Sequence, residues 1–291
     1  MAGNVVIAGT DGSEPSLRAV EWAAREAALR GAGLRVVAVP VLPRRMSWQP
    51  APHSTPDTVV DTIRHSYEHA LATAAGRAAK AEPGVAVETA LLSGKPAHAL
   101  AAAAADALML VVGSRGAGGF GALLLGSVSR YVATLAPGPV VVAREEAGVG
   151  HGEVVVGIRD IDQSTAIGFA FDEARLRRAR LRAVHAWHWF LTEMRLTGTE
   201  RPGADAREVT AEAADWLAGL LTFWREKYPD VEVVPDVVHA PPARVLAGAS
   251  ARADLVVLGR NSADDSPQPS TGATAHALLS HAHSPVAIVP E

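Results

Sequence analysis

The stretch VVGSRGAGGFGALLLGSVSR places Gly113, two residues, Gly116, nine residues, and then Gly126 and Ser127 at the opening of a helical pattern. That spacing suits an anion. Glycines let backbone amides approach phosphate oxygens, and a helix N-terminus adds partial positive charge. The hydroxyls of Ser127 and Ser129 could donate further hydrogen bonds, and Arg115 supplies a cation. A glycine-rich segment between strand and helix also serves as a plain turn, so the loop by itself leaves both roles open. Asp11, in GTDGSEPS, is ambiguous in the same way, because Asp-Gly-Ser is an ordinary strand-to-helix turn.

These residues need strands and helices to bring them together, and the chain writes the required unit twice. NVVIAGT (Asn4 to Thr10) corresponds to EVVVGIR (Glu153 to Arg159), and LRVVAVP (Leu34 to Pro40) to LRAVHAW (Leu181 to Trp187). ALMLVVG (Ala107 to Gly113) corresponds to ADLVVLG (Ala253 to Gly259), and GPVVVAR (Gly138 to Arg144) to SPVAIVP (Ser284 to Pro290). Gly113 and Gly259 are 146 positions apart, as are Pro139 and Pro285. Each half carries five short β-branched runs, apolar throughout, as strands buried on both faces of a parallel sheet require.

Helical patterns separate the runs, at Pro15 to Arg30, Thr58 to Ala81, Pro96 to Ala105 and Ser127 to Leu135, then at Ser164 to Ala179, Ala206 to Lys227, Pro242 to Arg252 and Thr274 to His281. Strict alternation predicts an α/β protein of two tandem doubly wound domains, each on a five-stranded parallel sheet. The expected domains are residues 1–146 and 153–291, joined by a linker at 147–152. Ser13 is expected to cap the first helix with its hydroxyl. Val41 to Pro56 and Thr192 to Asp205 are expected as loops over the C-terminal edge of each sheet.

The G-x-x-G-x9-G-S loop, the VSR that follows, the PVVV strand and the GTDGSEPS opening resemble the nucleotide motif of ATP-binding universal stress proteins. The resemblance covers nearly all of both halves. It implies a Rossmann-like, five-stranded parallel sheet, dimer-like packing of domains, and ATP with magnesium in a cleft between the first and fourth strands. Gly9 and Thr10 would then form a wall beside Asp11, which would contact the ribose or the metal-phosphate region. Val39 would meet adenine through its backbone. Gly113, Ser114, Arg115 and Gly116, together with Gly126, Ser127, Val128 and Ser129, would hold the ribose and phosphates.

The second copy keeps the loop's length and changes its chemistry. It reads GRNSADDSPQPSTGAT: Gly259 and Gly272 remain, Gly116 becomes Ser262 and Ser127 becomes Ala273. Asp264 and Asp265 add negative charge where phosphates would lie, and two prolines remove amide donors. Arg159 stands in the Asp11 position, and Trp187 replaces Pro40, with bulk that could fill an adenine pocket. One ATP per chain is therefore expected.

Several other signals point away from chemistry. GVGHG (Gly148 to Gly152) precedes a strand instead of following one, so it is a linker and not a dinucleotide fingerprint. Ser93-Gly94-Lys95 lacks the first glycine of a Walker loop, and Lys95 is expected to begin a helix. His185 with His188, and His281 with His283, have no carboxylate or cysteine at ligand spacing, so no metal site is expected. Trp216 and Trp224 share a helical face and are expected in the core.

Composition restricts the rest. The 27 basic and 31 acidic side chains give a net charge of −4, and the cations are dispersed, so no nucleic-acid partner is expected. Cysteine is absent, which removes disulfides and thiol chemistry. The start, MAGNVVIAGTDGS, has no signal-peptide pattern, and the apolar run Ala97 to Val112 is too short to span a bilayer, so a cytoplasmic protein without a membrane partner is expected. Nucleotide-dependent regulation of a stress response, by binding and not turnover, is the leading functional expectation. A slow ATPase or phosphotransferase and a nucleotide-free scaffold are the alternatives. The strands at Pro139 to Ala143 and Pro285 to Val289 are expected at sheet edges, where they invite a homodimer or an intrachain domain pair.

Overall fold

The computed structural model describes residues 3–41, 56–116, 125–144, 150–188, 206–260 and 272–291. The chain divides into two compact units, Met1–Glu145 and Glu146–Glu291. In the first, β1 (Val5–Gly9) leads into α1 (Glu14–Arg30), β2 (Gly33–Ala38), α2 (Pro56–Ala81) and β3 (Val87–Leu91). Then follow α3 (Pro96–Ala103) with a 3-10 turn at Ala104–Asp106, β4 (Met109–Gly113), α4 (Ser127–Leu135) and β5 (Val140–Ala143).

The strands are parallel in the order β3-β2-β1-β4-β5. From β1 the chain steps outward to β3, then returns to the other side of β1 at β4. Right-handed crossovers therefore set α1 and α2 on one face and α3 and α4 on the other, and the helices pack in those pairs. The reversal opens a crevice beyond the C-terminal ends of β1 and β4, where Gly9 and Gly113 lie.

The second unit runs β6 (Glu153–Gly157), α5 (Ser164–Arg177), β7 (Arg180–Trp187), α6 (Ala206–Lys227), β8 (Val233–His239), α7 (Pro242–Ser250), β9 (Leu255–Arg260), α8 (Gly272–His281) and β10 (Val286–Pro290). Its parallel order, β8-β7-β6-β9-β10, repeats that of the first unit.

Burial follows position in the sheet. The inner strands are apolar and sealed on both faces, as at Val6, Ala8, Met109, Leu110 and Val111 and again at Val154, Val156, Leu255 and Val257. The expectation of runs apolar throughout fails at the outer strands: β3 exposes Glu88 and Thr89, and β8 exposes Pro235 and His239. Each has a strand neighbour on one side only within its unit, so polar side chains and a proline are tolerated there. Ion pairs stitch them inward, Arg35 to Glu88 at 3.1 Å and Arg182 to Asp236 at 2.5 Å.

The helix ends repeat too. α1 stops at Gly31, left-handed at φ 60°, with the Ala32 amide donating to the Ala27 carbonyl. α5 stops at Arg178, held at φ 53°, with the Ala179 amide donating to Ala174. The same six-residue closure forms in both, although Arg178 bears the Cβ cost that glycine avoids. Ser13 departs from expectation, since its side chain does not cap α1. Its side chain is held toward Asp11 instead, the Ser13 hydroxyl and amide both donating to Asp11 Oδ1, at 2.5 and 3.1 Å.

Of the two tryptophans expected in the core, Trp224 is buried and stacks on Phe171 at 5.7 Å. Gly168 lies beneath it, where a Cβ would meet the indole at 2.9 Å. Trp216 is half-buried against the His185 ring, 4.9 Å away, and His185 Nδ1 lies 3.0 Å from the Ile158 carbonyl oxygen. No described helix is long and apolar enough to cross a membrane.

Candidate functional site

The crevice of the first unit is a cleft of about 710 Å³. Gly9, Val112 and Gly113 form its base at the ends of β1 and β4, and Val37 and Val39 form one wall, Val39 lying just past the last β2–β3 pairing, Ala38 with Leu91. Pro96 and Leu100 of α3 and Tyr67 of α2 add apolar and aromatic surface. Opposite stand Arg115, Gly116 and the first turn of α4, with Gly126, Ser127, Val128 and Ser129. Thr10 and Asp11 complete the β1 side. Eleven of the twelve residues singled out from the sequence thus line one cleft; Ser114 is the twelfth, buried at 3% exposure and outside the lining. Residues 117–124 of the glycine loop lie outside the described residues.

A closed set of hydroxyl bonds fixes the turn from β1 into α1. Ser16 Oγ donates to the Ser13 carbonyl at 2.8 Å, which leaves Thr10 Oγ1 to donate to Ser16 Oγ at 2.9 Å. Thr10 Oγ1 in turn accepts from the Gly12 amide at 3.1 Å. Buried hydroxyls are costly unless paired, and Thr10 and Ser16 are each almost wholly buried. Thr10 therefore shapes the wall and has no hydroxyl proton left for a ligand.

The loop is pinned at both ends. The Gly126 amide donates to the Ser114 carbonyl at 2.9 Å, and the Ser129 hydroxyl donates to the Gly113 carbonyl at 2.6 Å. Ser129 thus departs from its expected role as a phosphate donor through the hydroxyl, because that proton already ties α4 to β4. Ser127, exposed at the first position of α4, lines the cleft. Gly126 is the N-cap residue and supplies no side-chain cap, so the first-turn amides open toward the cleft.

The glycines serve different ends. A Cβ on Gly113 would sit 2.8 Å from the Pro15 main chain, so Gly113 permits β4 to press on the start of α1. A Cβ on Gly126 would meet its nearest atoms at 3.5 Å, an ordinary contact.

Sequence reasoning did not find Tyr67, Pro96, Leu100 or Ser16. Pro96 and Leu100 sit one helical turn apart on α3, a spacing that marks a shared face. Tyr67 carries no local signal; only the packing of α2 on the turn, with Ala70 3.1 Å from a Cβ on Gly12, brings it to the cleft.

The corresponding crevice in the second unit is lined differently. Gly157 is crowded by Leu258 and Leu246, at 2.7 and 2.9 Å from its Cβ position, where Gly9 meets Leu100 at 3.1 Å and Val112 at 3.4 Å. Ile158 replaces Thr10, and the Arg159 guanidinium turns onto Asp160 at 2.5 Å. The buried Gln163 carboxamide accepts from the Arg159 and Asp160 amides at 2.5 and 3.2 Å. The Glu291 carboxylate accepts from Thr165 and Ala166 at the start of α5, at 2.9 and 3.2 Å. Burial pushes the Glu291 carboxyl above its ordinary value, against these amide bonds. Trp187 lies flat on His239, with ring centres 4.1 Å apart. Ser262, Asp264 and Asp265 lie outside the described residues.

Parallel order with a reversal beside the first strand, a glycine loop running onto a helix N-terminus, and a cleft at that reversal define a doubly wound, Rossmann-like α/β protein. The universal stress protein family model matches twice, over residues 4–144 and 151–290. A universal stress protein of Mycobacterium tuberculosis (strain H37Rv) is 36% identical across 97% of this chain and 96% of its own length. One from Mycolicibacterium smegmatis is 33% identical across 98% of this chain and 96% of its own length. The crystal structure of a universal stress protein from Archaeoglobus fulgidus shares the fold, with a TM-score of 0.72 at 19% identity, covering 100% of this chain and 99% of that one. The chain belongs to the universal stress protein family and carries its domain in tandem.

Proposed function

We infer that the first unit binds a nucleotide, ATP with magnesium, and that this protein is a cytoplasmic regulator acting through nucleotide occupancy and not turnover. One observation carries the inference. A single cleft joins an apolar half, built from Val37, Val39, Pro96 and Leu100, to a polar half where α4 begins behind Gly126 without a side-chain cap. The apolar half suits a purine, and the open first-turn amides with Arg115 suit phosphates. Its volume lies in the range of small-molecule sites. Among the described residues no group of three acidic or histidine side chains could hold a metal ion, so magnesium would arrive on the phosphates, which bind it in many nucleotide sites.

Val39 would offer its main chain to the base, Gly9 and Thr10 the wall, Arg115 its charge, Ser127 its hydroxyl and amide, and Val128 its amide. Calorimetric titration with MgATP tests the site. The wild-type chain is expected to bind, and Gly126→Glu is expected to lose at least about a hundredfold in affinity, because a carboxylate placed against phosphates costs several kcal/mol. Unchanged affinity in Gly126→Glu would place the nucleotide elsewhere. Labelled ATP followed to free phosphate or phosphoprotein separates binding from the slow ATPase and phosphotransferase alternatives.

A further inference from the structure

We propose that His98 and Tyr131 are positioning residues: the bridge between their rings fixes the gap between α3 and α4, the helices that supply opposite walls of the first unit's cleft. The proposal rests on the nucleotide site inferred above and adds a device outside its lining. The Tyr131 hydroxyl is hydrogen-bonded to His98 Nε2 at 2.7 Å, and the two ring centres lie 4.7 Å apart. Neither residue lines the cleft. Each shares a short helix with residues that do: His98 lies between Pro96 and Leu100 on α3, and Tyr131 follows Ser127 and Val128 on α4. A ligand with its base on the α3 side and its phosphates at the start of α4 touches both walls. Binding is strongest when the protein already holds such walls at the right separation, and a bridge from one helix to the other does that before the ligand arrives.

The second half supplies an independent observation. PAHAL at Pro96 to Leu100 repeats as PARVL at Pro242 to Leu246, and GSVSRY at Gly126 to Tyr131 falls on GATAHA at Gly272 to Ala277. His98 therefore becomes Arg244 and Tyr131 becomes Ala277, so both halves of the bridge are replaced together. The corresponding helices, α7 and α8, still pack on each other as α3 and α4 do. Packing of the helix pair thus does not require an imidazole and a phenol. The bridge is present in the unit with the open cleft, and it is missing from the unit whose strand end at Gly157 is crowded by Leu246 and Leu258.

Calorimetric titration of MgATP into variants of the full chain tests the bridge, beside thermal unfolding without nucleotide. His98→Ala and Tyr131→Phe are each expected to weaken MgATP about fivefold, and the double variant no more than about twofold beyond either, because both remove the same link. His98→Gln is expected to bring affinity back to within about twofold of the wild-type chain, since its carboxamide can pair with the hydroxyl as Nε2 does. In the Tyr131→Phe background the same glutamine is expected to recover nothing. His98 is exposed and Tyr131 half-buried, so Tm is expected to move by less than about 3 °C in every variant. Affinities unchanged in both single variants would overturn the proposal, as would losses that multiply in the double variant or a glutamine rescue that survives without the Tyr131 hydroxyl. A wild-type chain that binds no MgATP would instead overturn the nucleotide reading, and the bridge's role would fall with it.

Discussion

At the scale of single residues, two serines two positions apart on α4 have different work. Ser129 is buried and its hydroxyl donates to the Gly113 carbonyl, fixing the helix to the strand end. Ser127 is exposed at the mouth of the cleft. Ser129→Ala is expected to cost about 1–3 kcal/mol of stability, since it leaves a buried carbonyl unsatisfied. Ser127→Ala is expected to leave stability within about 0.5 kcal/mol and to lower MgATP affinity severalfold. Chemical denaturation of both variants, beside titration with MgATP, checks the division. An equal stability loss in the two would contradict it.

Among elements, the contact between α1 and α2 carries a charged clasp. Arg77 on α2 reaches Glu14 Oε2 at 3.0 Å and Glu21 Oε1 at 2.5 Å, both on α1. The hydrogen bond from Arg77 holds the Glu14 carboxyl below its ordinary value, and the two carboxylates keep Arg77 protonated. A carboxyl lowered in the folded state stabilises above its unfolded value and loses that contribution as pH falls through the lowered one. The difference in Tm between the wild-type chain and Arg77→Met is therefore expected at neutral pH and is expected to shrink toward about pH 3. A difference that grows on acidification would mean the clasp is not electrostatic. The exposure of Glu14 keeps the effect small.

These elements were legible to unequal degrees. The inner strands and α1 announce themselves through Val-rich runs, a proline near the helix start and Gly31 at its end. β3 and β8 do not, because VETAL and VVPDVVH mix polar residues into strands that need burial on fewer sides. The missing Ser13 cap has a local cause: the sequence shows a hydroxyl at a helix start, but not that the hydroxyl turns to donate to Asp11 at 2.5 Å.

Across the whole molecule, duplication supplies its own control. The first unit opens a cleft between β1 and β4, whereas in the second Leu246, Leu258, Gln163 and Glu291 crowd the equivalent strand ends. One nucleotide per chain is the expected stoichiometry, and it is expected to fall to zero in Gly126→Glu. Two equivalents by calorimetry or by nucleotide extraction would show that the second unit binds as well. A variant restoring Arg159→Asp alone is expected to gain no site, because Gln163 and Glu291 remain in place.

The sequence alone determined the duplicated unit, the alternation of strands and helices, and the residues of the glycine loop, because periodicity and spacing are local properties of the chain. Tertiary structure decided what each of those residues does. Thr10 and Ser129 lose their hydroxyl protons to neighbours six and sixteen positions away, Ser114 turns into the core, and Tyr67 arrives from a helix far along the chain. A donor is available to a ligand only when folding has not already paired it, and that pairing is set by contacts between segments that the sequence keeps apart.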